Sequence, residues 1–203
     1  MISGRTPELR FQRIGILLAG LALCVPSVAE PDRLAQLFAG LAATPPPDQR
    51  YIEQKHFDFF EAPLEQRGIL RYRPPDTVIK EQQEPEFQYV EIRGDTVFIQ
   101  EPSGSRRISL DRLPLLRAFV TPLRATLRGD LGTLQNHYRI EYRGSPQDWS
   151  LLLEPRDTEL ANYLQSIRIQ GADHRIGQME IIETNGDWSR MQLTPLRPRR
   201  AHD

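Results

Sequence analysis

Apolar and polar residues alternate with a period of two along most of this chain, and proline and glycine break the alternation at close intervals. The densest stretch is Gln66 to Ile99. Its runs GILRYR, VIKEQQ, FQYVEI and TVFI are separated by a Pro-rich break, by Glu84-Pro85 and by Gly94-Asp95. Short runs rich in β-branched and aromatic residues between turn signals predict an antiparallel meander. Tyr72, Phe87 and Tyr89 sit among charged neighbours, so each strand is expected to have one apolar and one wet face.

Strand patterning continues on both sides. Tyr51 to Phe60 reads as a strand ending in the apolar cluster Phe57, Phe59 and Phe60, and Ala62-Pro63 turns the chain into Gln66–Arg73. Pro102-Ser103-Gly104-Ser105 is a hairpin turn into RRISL. Further strands are predicted at Asn136–Tyr142, Trp149–Glu154, Tyr163–Gln170, Arg175–Thr184 and Asp187–Leu196. Asn185-Gly186 is the strongest hairpin signal in the chain.

The period changes to that of a helix in two places. From Glu30 to Thr44, Leu34, Leu37, Phe38 and Leu41 make one apolar stripe; Pro31 and Asp32 suit its start, and Pro45-Pro46-Pro47 stops it. From Asp111 to Gly129 the apolar side is Leu115, Leu116, Phe119, Leu123 and Leu127. Thr121-Pro122 has the form of an N-cap followed by a first-turn proline, and Gly129 that of a helix end, so two short helices with a bend are predicted. Asp157 to Asn162 reads as one helical turn. The fold class is mainly β with a helical lid (α+β): a curved antiparallel sheet whose apolar side is covered by helical segments.

The ends change how much of the chain this describes. Arg5, Arg10 and Arg13 precede the apolar run Ile14 to Val25, followed by the small-x-small pattern Ser27-Val28-Ala29. That is the layout of a secretory signal peptide over 1–29, with Glu30 as the expected mature N-terminus. Leu23 before Cys24 does not suit a lipoprotein signal. Cleavage removes the only cysteine, so the single domain expected at 30–196 must be stabilised by its core. Losing Arg5, Arg10, Arg13 and Glu8 takes the formal charge from −1 to −3, which argues against nucleic acid as a partner. Residues 197–203 read as a basic, disordered tail.

Chemistry is sparse. His56, His137, His174 and His202 have no partners at metal-ligand spacing, and there is no nucleophile elbow, phosphate loop or dinucleotide fingerprint. No cofactor, metal or enzymatic activity is therefore proposed. What the chain has in supply is apolar side chains on both layers. They would either fill a core or line a cavity between sheet and helices that holds an apolar ligand.

The order of these pieces resembles the LolA/LolB-like periplasmic lipoprotein carriers, over about Leu34 to Leu196. The carriers of the resemblance are the first amphipathic helix, Tyr51-Ile52-Glu53-Gln54, Gly68-Ile69-Leu70-Arg71-Tyr72-Arg73-Pro74, Arg93-Gly94-Asp95 before Val97-Phe98-Ile99, and the helical insert 111–129 before Gly129-Asp130. Trp149-Ser150-Leu151-Leu152-Leu153-Glu154-Pro155 and the paired strands Ile167–Ile169 and Ile176–Glu183 complete it. The resemblance implies an unclosed, strongly curved antiparallel half-barrel under a helical lid. It implies a monomeric, periplasmic, non-catalytic carrier of lipoprotein acyl chains or other lipidic cargo, moving between an inner-membrane exporter and an outer-membrane acceptor.

The expected cavity lining is Leu34, Leu37 and Leu41 from the first helix, and Leu115, Phe119 and Leu123 from the insert. From the strands it is Phe57, Phe59, Leu70, Tyr72, Phe87, Tyr89, Tyr138, Ile140, Trp149 and Leu151. Arg73, before Pro74, matches the family's arginine that ties the lid shut through helix carbonyls. Thr77-Val78-Ile79-Lys80 stand where the family has aromatic residues, and the tail is short. The alternative is an interaction subunit of an envelope export complex, with a filled core.

Overall fold

In the computed structural model residues 30–196 are described. The expected signal peptide, with Cys24, and the basic tail lie outside them. Eleven strands form one antiparallel sheet: β1 (Gln49–His56), β2 (Leu64–Arg73), β3 (Thr77–Glu84), β4 (Gln88–Arg93), β5 (Thr96–Glu101) and β6 (Gly104–Ser109), then β7 (Tyr138–Ser145), β8 (Asp148–Pro155), β9 (Leu164–Ala172), β10 (Arg175–Glu183) and β11 (Trp188–Pro195). Their order across the sheet is β6-β5-β4-β3-β2-β1-β11-β10-β9-β8-β7. The first six strands therefore run outward from the centre to one edge, and the last five return from the other edge to pair beside β1.

The chain that links the two edges is residues 110–137. It holds a 3-10 turn (Leu110–Arg112), helix α2 (Pro114–Arg128) and helix α3 (Leu131–His137). Ten strand spacings make an arc of roughly 48 Å, whereas a 15-residue helix is only about 22 Å long. One core joins Tyr72 and Val78 of one wing to Ile169 and Leu151 of the other, so the sheet curls, and α2, too short to cross a flat sheet of that width, lies across its concave face.

Register fixes which residues face inward. Across neighbouring strands Leu193, Tyr51 and Gly68 align, as do Tyr72, Val78, Ile92 and Val97; on the other wing Met191, Met179, Ile169, Leu151 and Tyr142 align. These are buried and carry the core. Helix α1 (Glu30–Ala43) adds Leu37, Phe38 and Leu41, each at most 2% exposed, over one end of that face. Helix α4 (Thr158–Ala161) is one turn, capped by Asp157 on Leu160 N.

The insert differs from the expected pair of bent helices. α2 runs unbroken through Pro122. Proline has no N–H for the carbonyl four residues earlier, that of Ala118. The hydroxyl of Tyr138 donates to that carbonyl at 3.2 Å and replaces the missing bond. Burial pushes the Tyr138 phenol up to about 12, so it keeps its proton. Tyr138→Phe leaves the carbonyl unpaired and is expected to lower stability by about 1–2 kcal/mol in urea unfolding.

The real break comes at Gly129. Its φ of 69° is left-handed, and a Cβ there would lie 2.4 Å from Phe38 O and 2.6 Å from Ala42 Cβ in α1. Asp130 then caps α3, accepting from Thr133 N at 2.9 Å and Thr133 Oγ1 at 2.6 Å. So Asn136 and His137 end a helix rather than begin a strand. The expected Tyr51–Phe60 strand stops at His56; Phe60 N donates to Phe57 O, which bends the chain into a turn.

Candidate functional site

α2 closes the concave face unevenly. Its second half, from Pro122 to Leu127, is buried against α1 and the sheet. Its first half leaves a cavity of about 290 Å³. Leu115, Leu116, Ala118 and Phe119 wall it from the helix, and Leu164, Ile181 and Met191 from the sheet. At the ends of β1 and β11 it is bordered by His56, Phe57, Asp187 and Trp188. The His56 and Trp188 rings stack at 5.6 Å.

The sheet side also carries charge. Glu53 and Lys80 both line the cavity and are ion-paired, with their side chains 7% and 19% exposed. Ser189 Oγ donates to Glu53 at 2.7 Å, Lys55 Nζ lies 3.6 Å from it, and Lys80 also donates to Gln66 at 3.2 Å. Lys80 Nζ sits 5.0 Å above the centre of the Tyr51 ring. Burial pushes the Glu53 carboxyl up, but Lys80, Lys55 and Ser189 outweigh it, and the net effect holds it below the usual carboxylate value.

On the other flank of α2 lies a larger groove of about 520 Å³, bordered by Arg117, His137, Asp157, Glu159 and Tyr163. Ala118 borders both spaces. The groove is the more polar of the two. The smaller space has apolar walls on helix and sheet alike, and it is the candidate site.

Of the expected lining, Phe57, Leu115 and Phe119 border this cavity. Leu37, Leu41, Leu123, Trp149 and Leu151 are packed in the core, with Leu34 and Ile140 against it. Leu70 and Tyr72, with Leu123, meet only a void of about 10 Å³, and Tyr138 borders the outer groove. Three expectations are corrected. Tyr89 pairs with Glu81 and Gln100, one position out of phase with the inward Val90, and donates to Glu91 on the convex face. Phe87, 44% exposed, precedes β4, and Phe59, 78% exposed, packs on Phe57 and Phe60 in the β1–β2 turn.

Arg73 is also placed differently from the expected latch. Its guanidinium donates to Asp48 Oδ1 at 2.7 Å and to Tyr72 O at 3.1 Å, and to no helix carbonyl among the described residues. Its hydrogen bond, with help from Arg71, holds Asp48 below the usual carboxylate value despite partial burial. The arginine that joins helix to sheet is Arg124, on α2 itself. Its Nη1 and Nη2 donate to Gly94 O and Ile92 O, both at 2.8 Å, clamping α2 to the β4–β5 turn. Arg93-Gly94-Asp95 reads as a turn in the sequence, and no pattern along the chain marks Arg124 as its partner.

A family model described as outer membrane lipoprotein carrier protein LolA-like matches residues 27–198. No curated protein matches the chain. Among solved structures, the chain is similar to a LolA superfamily protein from Nitrosomonas europaea: identity is 13%, 85% of this chain and 95% of that one are covered, and the TM-score is 0.42. It is similar to the Mycobacterium tuberculosis lipoprotein LppX, with 10% identity, coverage of 83% and 99%, and a TM-score of 0.44. The match to the Pseudomonas aeruginosa MucA/MucB complex has 14% identity and a TM-score of 0.46, and covers 84% of this chain but 58% of the other.

Proposed function

Because the chain belongs to the LolA-like family of outer membrane lipoprotein carrier proteins, we propose that it is a periplasmic carrier. It shields an acyl chain of a lipoprotein or other lipidic cargo beneath the first half of α2 while the cargo moves towards the outer membrane. The observation that supports this reading is the apolar cavity between α2 and the sheet. A methylene fills about the space of a water, roughly 30 Å³, so 290 Å³ takes roughly ten of them. At about 0.8 kcal/mol each, their burial gives about 8 kcal/mol gross, before the costs of ordering the chain and opening the lid. That balance suits binding that must be reversed at the acceptor.

A second reading, an interaction subunit with a filled core, is favoured by the packing of most of the concave face. Two substitutions separate them. Leu115 stands at the cavity mouth, 42% exposed, whereas Leu123 is 1% exposed in the core. Leu115→Asp is expected to stay folded and to lose binding of a fluorescent acyl probe by ten-fold or more. Leu123→Asp buries an unpaired carboxylate and is expected to unfold the domain, seen as loss of the circular-dichroism signal. A folded Leu115→Asp protein with undiminished probe binding would favour the second reading.

A further inference from the structure

The apolar walls of the cavity explain a hydrocarbon chain but not the charged groups among them. Six ionisable side chains line this small space: Glu53, Lys55, His56, Lys80, Glu183 and Asp187. A site for hydrocarbon alone has no use for them, since each must be desolvated. Their commitments differ. Glu53 is saturated by Lys80, Ser189 and the nearby Lys55. Asp187 is held in its turn, its Oδ1 accepting from Asp58 N at 2.8 Å and its Oδ2 from Asn185 Nδ2 at 2.9 Å. The Glu183 carboxyl is pushed up by burial and by Asp187 beside it, and down by the charge of Lys55. Lys80 is engaged by both Glu53 and Gln66.

Lys55 is left. It is half-buried, and its nearest anion, Glu53, is at 3.6 Å, beyond hydrogen-bond length. Among the described residues its ammonium makes no hydrogen bond, although it borders the cavity. It lies one residue before the end of β1, where the polar border begins.

Resting on the reading of this cavity as an acyl site, we propose that it takes a single-chain lipid with a carboxylate head, the head paired with Lys55 and the chain running between α2 and Leu164, Ile181 and Met191. The size agrees. Space for roughly ten methylenes matches one medium chain and is too small for a two- or three-chain lipid without further opening. Of the two ammoniums in the lining, Lys55 is the one without a hydrogen bond among the described residues, and a carboxylate is the compact anion that an ammonium holds by charge-assisted hydrogen bonds. No bond is made or broken; the specificity is electrostatic.

The test uses the mature protein, with decanoate, methyl decanoate and decylammonium titrated by isothermal calorimetry at pH 7.5 against the parent, Lys55→Met and Lys55→Arg. Decanoate is expected to bind the parent at least ten-fold more tightly than either other ligand. Lys55→Met, which keeps an apolar stem, should erase that preference and leave methyl decanoate unchanged; Lys55→Arg should keep most of it. Equal affinities for acid and ester, a preference that survives Lys55→Met, or tightest binding of decylammonium would overturn the head-group assignment while leaving the acyl site standing. If none of the three binds the parent, the acyl-site reading fails and this proposal with it.

Discussion

Lys80→Met is expected to destabilise the protein by about 3 kcal/mol, at the low end of the range for breaking a buried ion pair. The loss comes less from the pair itself than from what is left behind. Glu53 stays 5% exposed on the inner face, with Ser189 and the more distant Lys55 as its remaining partners. Replacing both partners, as Glu53→Leu with Lys80→Met, should recover most of the loss, because two desolvation costs vanish together. Urea unfolding of the two single variants and the double variant measures this. The pair also sets an acid limit. The folded-state carboxyl of Glu53 lies below its ordinary 4.5, so its contribution is complete above that pH and is lost as pH falls through the lowered value. In Lys80→Met, where burial is opposed only by Lys55 and Ser189, that acid decline should shrink or reverse. A single variant within 1 kcal/mol of the parent would contradict the buried-pair account.

Arg124→Leu is expected to cost about 3 kcal/mol, since it removes two charge-assisted bonds to Gly94 O and Ile92 O. Arg124→Lys should recover about half, because one ammonium does not replace a planar fork. The effect should be local as well as global. With the clamp gone, amide exchange in α2 residues 114–121 should rise ten-fold or more, while α1 and β8–β10 change far less. Arg73 is the control. Its side chain is 51% exposed and its ion pair with Asp48 is at the surface, so Arg73→Leu should cost under about 1 kcal/mol and leave α2 exchange unchanged. The reverse result, with α2 loosened by Arg73→Leu and not by Arg124→Leu, would return the latch to Arg73.

The strands and turns were legible in the sequence because their signals are local. Alternation around Val78, Ile92 and Val97, the turns at Gly94-Asp95 and Asn185-Gly186, and the stripe of α1 all specify themselves within a few residues. What depended on distant partners was not legible. Pro122 looked like a helix start because Tyr138, sixteen positions on, could not be seen to replace its missing bond. Asp130 with Thr133 did carry a capping signal for α3, but the alternation from Tyr138 onward masked it. Tyr89 and Val90 could not be told apart as outward and inward without the register to β3. The burial of Glu53 and Lys80 carries one clue in the sequence: each is in phase with an apolar neighbour, Tyr51 and Val78. The cavity itself is a matter of how far α2 descends onto the sheet, and no pattern along the chain encodes that directly.

The central claim is that an acyl chain enters beneath the first half of α2. Trp188 borders that cavity, whereas Trp149 is 1% exposed in the packed core. A decanoate brominated along its chain quenches tryptophan only on close approach, so titrating it into the parent and into Trp188→Phe reads the location of the chain. Saturable quenching is expected in the parent, with little in Trp188→Phe, where only Trp149 emits. Equal quenching of both proteins, or none in the parent at concentrations that bind the chain, would place the lipid elsewhere and contradict the account.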